Sequence, residues 1–234
     1  MIRRSFLKQS LAGTALLGAA VALPGQTTTS DAAAPRKEPE RGQPIDPEIV
    51  KTFVSAGHRD LAKVKELLAQ YPLILNALVD LGKGDWESAL GAASHVGNKE
   101  IAQFLIEAGA RPDIFCAAMM GAREVVLSTI KFSPQAANAR GPHGLMLLYH
   151  VGYTGDVVVA EALAPHITER ARHYNQALQT ATLRGHTELV AWLLKNGVDN
   201  PNLKAFGKTP LDVAIEKGFA EIADLLRAQG ATRG

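Results

Sequence analysis

Apolar positions along this chain fall in short runs at helical spacing, and the runs are broken at regular places. Four of the breaks share one form. A glycine is followed three residues later by a glutamate and then by an apolar pair: Gly97 with Glu100, Gly121 with Glu124, Gly185 with Glu188 and Gly218 with Glu221. A glycine there can take the left-handed conformation that ends one helix and turns the chain back. The glutamate then lies in the first turn of a second helix, where the helix dipole favours negative charge. Gly109, Gly197 and Gly230 are placed to end second helices in the same way. The pattern predicts pairs of short antiparallel helices, and it excludes a long coiled coil because the apolar period breaks about every dozen residues.

The pairs repeat. Gly185-His186-Thr187-Glu188-Leu189-Val190, with Leu193 and Leu194 after it, returns 33 residues later as Gly218-Phe219-Ala220-Glu221-Ile222-Ala223 with Leu225 and Leu226. Units turning at Gly97 and Gly121 fit the same frame, as do, less closely, Gly155 to Leu163 and Arg59 to Leu68, the last with arginine in the glycine place. Thr209-Pro210-Leu211 opens a first helix, with threonine suited to accept a hydrogen bond from an orphan amide and proline suited to the first helical residue. This opening and the Gly-His step at Gly185 resemble the ankyrin-repeat family, over residues 47 to 234. The openings at Ser88-Ala89-Leu90, Met146-Leu147-Leu148 and Gln176-Ala177-Leu178 depart further from the family pattern. The resemblance implies an all-α solenoid of about six helix-turn-helix units, some degenerate. Spacing departs from the family in two places. Gly97 to Gly121 is only 24 residues, too short for a full β-turn finger around Arg111-Pro112-Asp113. Arg59 to Gly97 is 38, with the extra length near Leu81-Gly82-Lys83-Gly84-Asp85-Trp86.

The N-terminus reads differently. Arg3-Arg4-Ser5-Phe6-Leu7-Lys8 precedes an uncharged stretch from Leu11 to Leu23, a charged region followed by an apolar one. At 13 residues the stretch is shorter than the roughly 20 a membrane-crossing helix needs, so no stable membrane anchor is expected. The arginine pair with Phe6, Leu7 and Lys8 resembles a bacterial twin-arginine export signal. Ala20-Val21-Ala22 would allow cleavage before Leu23, giving a signal peptide over residues 1 to 22 and a periplasmic or otherwise exported protein. Residues 23 to 46 carry Pro24, Pro35, Pro39 and Pro44 with little to bury, and read as a flexible linker. Removing Arg3, Arg4 and Lys8 from the 25 basic residues leaves 22 against 23 acidic ones. With no dense basic run, nucleic acid is not an expected partner, and the chain is expected to be a monomer.

Candidate chemistry is sparse. Gly207-Lys208-Thr209 resembles the end of a phosphate loop, but Asn202 stands where that loop needs glycine. Gly82-Lys83-Gly84 lacks the further glycine of a dinucleotide loop and reads as a turn. No nucleophile elbow or paired-histidine zinc motif occurs, so no enzyme activity, catalytic residue, cofactor or metal is assigned, and a hydrolase would need a constellation that is not found. His186 is assigned a structural hydrogen bond by resemblance, while His58, His143, His166 and His173 read as solvated histidines near turns. Cys116, Met119 and Met120, with His95 and His150, are donors that would suit a soft ion such as Cu(I), which makes copper handling an alternative function.

The family resemblance also implies where a partner would sit. Its first helices line a concave groove, and the corresponding positions here are His95, Val96, Met119, Met120, His150, Tyr153, Leu183 and Arg184, with Glu216 and Lys217 at a charged end. Exposed apolar surface of this kind marks interaction sites. The expectation is a non-enzymatic adaptor or scaffold that holds a protein or peptide in this central groove.

Overall fold

The computed structural model describes residues 42–234. The signal segment and most of the linker lie outside the described residues. Among the described residues, twelve α-helices form six antiparallel pairs: α1 (Pro47–Ala56) with α2 (Leu61–Gln70), α3 (Ala89–Val96) with α4 (Lys99–Glu107), α5 (Ile114–Met120) with α6 (Arg123–Phe132), α7 (Leu147–Val151) with α8 (Val157–Leu163), α9 (Arg170–Arg184) with α10 (Thr187–Asn196), and α11 (Pro210–Lys217) with α12 (Ala220–Ala228). First helices stack on first helices from α1 through α11. Second helices form the other layer, which is thinnest between α4 and α6.

The capping chemistry is the reason the pairs turn where they do. Gly97, Gly121, Gly185 and Gly218 all end first helices in the left-handed conformation, where a side chain is strained. Glu100, Glu124, Glu188 and Glu221 occupy the first turns of α4, α6, α10 and α12. Thr209 caps α11 through a reciprocal box with Asp212, whose carboxyl the Thr209 amide and hydroxyl hold down at about 2. Two glycine assignments change. Gly57, not Arg59, closes α1, buried against the Ala89 backbone where a Cβ has no room. Gly197 ends α10 at φ 172°, outside the left-handed region, with the Tyr174 ring packed where a Cβ would stand.

The extra length before the second pair forms a hairpin, β1 (Leu78–Gly82) paired antiparallel with β2 (Asp85–Ser88) through a turn in which Gly82, Lys83 and Gly84 all have positive φ. The loop before α5 forms no such finger: Gly109 turns the chain, and Asp113 immediately caps α5 by accepting from the Cys116 amide.

Burial divides at α5. Its Phe115, Ala117 and Ala118 pack with the later pairs, while Cys116 and Met119 pack with the earlier ones. Tyr153, from the turn after α7, joins the earlier cluster by reaching over α5 to pack on Gly97. Gly97 is therefore held by two constraints, its left-handed φ and the Tyr153 ring where a Cβ would stand, whereas Gly218 has the same φ with open space around it. Gly218→Ala should cost about 1 kcal/mol of unfolding free energy and Gly97→Ala about 2–3 kcal/mol, read from urea denaturation midpoints of the two variants. Equal costs would show that the ring contact contributes nothing.

Candidate functional site

The predicted groove is not uniformly open. Met119, His150 and Tyr153 are buried, His95 is only 8% exposed, and Val96 and Met120 are half-buried. This corrects the expectation that the central positions present a bare apolar surface. The physical reason is that side chains of α7, the turn after it and α9 reach across α5 to the end of α3. Tyr153 donates its hydroxyl to the His95 carbonyl at 2.7 Å, Tyr149 donates to the same oxygen at 3.0 Å, and the Arg184 guanidinium donates to the Gly97 carbonyl at 3.2 Å while lying over the Tyr153 ring. Burial pushes the hydroxyls of both tyrosines up, so they remain neutral donors. Polar bonds and an aromatic ring therefore occupy the middle of the groove.

Leu183 and Arg184 remain exposed. Leu183, at 40% exposure, lies in a cleft of about 410 Å³ between α9 and α11, whose walls include Thr180, Val213 and the tip residue Phe206. The Ala205–Lys208 bridge forms the finger before α11 and carries Phe206 at φ 50° with its ring wholly in solvent. Lys208 and Glu216, paired with each other, and Lys217 border the same cleft. The phosphate-loop lookalike is thus the root of this finger. Phe206 was not singled out from sequence; the signal available was a lone aromatic in an otherwise polar loop.

A second constellation was missed altogether. His58 after α1, Glu87 on β2, His95 on α3 and His143 in the short turn Pro142–Gly144 converge, with ligand-type atoms all within 4.8 Å of one another. Glu87 Oε1 lies 3.1 Å from His95 Nδ1, 3.4 Å from His143 Nε2 and 3.8 Å from His58 Nε2. Burial pushes the Glu87 carboxyl up, but the three imidazoles outweigh it and hold the group below its ordinary value. His58 and His143 are accordingly corrected from isolated surface histidines to partners in one cluster. Among the described residues, the donors brought together around His95 are these, not Cys116 and His150. Cys116 is a buried thiol pushed up by desolvation.

Of the other histidines, His186 donates Nε2 to the Tyr153 carbonyl at 3.2 Å, and His166 is exposed. His173, expected to be solvated, is fully buried, and desolvation lowers it to about 4.

A family model described as ankyrin repeats (3 copies) matches residues 145–232, which span α7 to α12. No curated protein matches the chain. Among solved structures the chain is similar to an ankyrin repeat domain from Acinetobacter baumannii AYE, with 25% sequence identity over 77% of this chain and 98% of that one, at a TM-score of 0.42.

His150 gives this region a pH dependence. Desolvation lowers it to about 4, against the bond of its Nδ1 to the Met146 carbonyl. Its folded value lies below its unfolded one, so the unfolded chain takes up the proton first. The associated stability is complete above about pH 6.5 and is lost as pH falls toward 4, amounting to about 3 kcal/mol at pH 4. Denaturation of the wild type and His150→Asn at pH 7 and pH 4.5 should show a shallower acid loss in the variant; parallel losses would remove His150 from the account.

Proposed function

We propose that this chain, whose residues 145–232 match a family model of ankyrin repeats, is a non-enzymatic binding module that holds a protein partner in the cleft between α9 and α11. Ankyrin repeats are generally protein-interaction modules. The observation that carries the reading is the placement of Leu183 and the solvent-exposed Phe206 on one concave cleft rimmed by Lys208, Glu216 and Lys217. An exposed aromatic beside an aliphatic pocket, with charge confined to the rim, is the arrangement of an interaction hot spot. The occupant that fits is a protein segment that places an apolar side chain between Phe206 and Leu183, flanked by groups able to pair with a lysine. Val96 and Met120 lie outside this cleft, and the site moves toward the C-terminal units relative to the groove expected from sequence.

We further propose that this module acts outside the cytoplasm, as a periplasmic adaptor or scaffold. The arginine pair Arg3-Arg4 and the short apolar stretch after it support that location.

Two experiments test these readings. A photo-crosslinking residue at Phe206 should capture a discrete partner in cells, while the same residue at Phe132, exposed on a second helix, should not; Leu183→Asp should lower affinity for that partner at least tenfold with the fold intact. Crosslinks from Phe132 and Phe206 alike, or an unchanged affinity, would overturn the cleft. Changing Arg3 and Arg4 to lysine should leave the protein in the cytoplasm, and undiminished export would exclude the twin-arginine route.

A further inference from the structure

We propose that His58, Glu87, His95 and His143 form a binding site for a divalent transition-metal ion of the zinc class. Four donors are brought within 4.8 Å of one another from three separate stretches of the sequence: the turn after α1, strand β2 with the helix α3 that follows it, and the turn before α7. Bonds of about 2.1 Å set at tetrahedral angles place ligand atoms about 3.4 Å apart. The three separations from Glu87 Oε1, at 3.1, 3.4 and 3.8 Å, straddle that length, so the carboxylate already sits near one vertex of a suitable tetrahedron.

The independent observation is the state of Glu87 itself. Its side chain is 3% exposed, and Oε1, the atom aimed into the cluster, is buried without a hydrogen-bond partner. His95 Nδ1 stands 3.1 Å away but outside hydrogen-bonding geometry; a carboxylate oxygen removed from water without such a bond is costly, and a cation among the imidazoles would satisfy it. The surroundings are built in the manner of a ligand shell. His58 donates Nδ1 to the Ser55 carbonyl at 3.0 Å, which leaves the lone pair of Nε2 facing the centre. Asp85 accepts the His143 amide with both oxygens, at 3.0 and 3.1 Å, and lies 3.6 Å from His143 Nδ1 while Nε2 faces Glu87. Asp85 thus fixes the backbone of the turn, while its carboxylate stands beyond hydrogen-bond length of the His143 ring. His143 adopts φ 59°, a conformation uncommon for a residue with a side chain, and this turn is held there by Asp85. His95 Nδ1 also lies 3.2 Å from the Gly91 carbonyl, so metal binding requires that contact to give way.

The donor set chooses the ion. Three imidazoles and one carboxylate suit zinc and its first-row neighbours; calcium and magnesium require mostly oxygen, and copper(I) prefers sulfur. Among these neighbours a four-donor shell with tetrahedral spacing favours zinc. The ion would clasp the first, second and fourth helix pairs together over the third.

The test uses the untagged full chain, stripped with a chelator, and titrates zinc(II), magnesium(II) and calcium(II) separately by calorimetry. One zinc per chain should bind with a dissociation constant below a micromolar, and neither calcium nor magnesium should bind. Cobalt(II) should give the intense visible bands of a tetrahedral site. His143→Gln, on a half-exposed side chain in a turn, and Glu87→Gln should each weaken zinc at least tenfold with unchanged circular dichroism. Absence of saturable zinc binding to the wild type overturns the proposal without any variant. Zinc affinity unaltered in both variants, or an octahedral cobalt spectrum, overturns it as well.

Discussion

The arrangement depends on one omission, the finger that is missing before α5. With only 24 residues from Gly97 to Gly121, no finger stands between the β1–β2 hairpin and the turn that carries His143. Side chains from the fourth and fifth pairs then reach the second directly: Tyr149 and Tyr153 to the His95 carbonyl, and Arg184 to the Gly97 carbonyl. His143 meets the hairpin on β2 through Asp85 by the same shortcut. The closed middle of the groove and the histidine cluster share this geometric cause, although they are built from unrelated side chains.

Each side chain that crosses the gap carries a polar group, and each is satisfied where it lands. The tyrosine hydroxyls share one carbonyl, and Arg184 both bonds a carbonyl and covers an aromatic face. Glu87 Oε1 is the exception, a buried carboxylate oxygen without a bond of good geometry. The contrast separates a contact that finishes the fold from one that leaves chemical capacity unused.

Much of the fold was legible because its signals are local. A left-handed glycine, a glutamate in the following turn and a threonine cap each constrain the backbone within four residues, so Gly97, Gly121, Gly185, Gly218 and Thr209 could be read one at a time. The candidate sites were less legible because their determinants are not local. Whether Tyr153 lines a groove or fills it depends on how far α7 lies from α3, which no residue near Tyr153 encodes. The histidine cluster draws on positions 58, 87, 95 and 143, whose spacing follows no motif. The irregular lengths before the second and third pairs were its only trace in the sequence. They predicted an uneven edge, and the edge is where the hairpin and the His143 turn converge.

In an ordinary repeat array each unit touches only its neighbours, so the chain can lengthen or shorten by copying or deleting a unit. Here α5 gives one face to each of two cores while the pairs on either side bond over it. A duplicated third unit would separate Tyr153 from the His95 carbonyl and His143 from Asp85, and a deleted one would leave two cores without their shared wall. The last pair, turning at Gly218, carries no such obligation, whereas the fifth is tied to the second through Arg184. A unit can therefore be added or removed with least disruption at the C-terminal end, beside the cleft that holds Leu183 and Phe206.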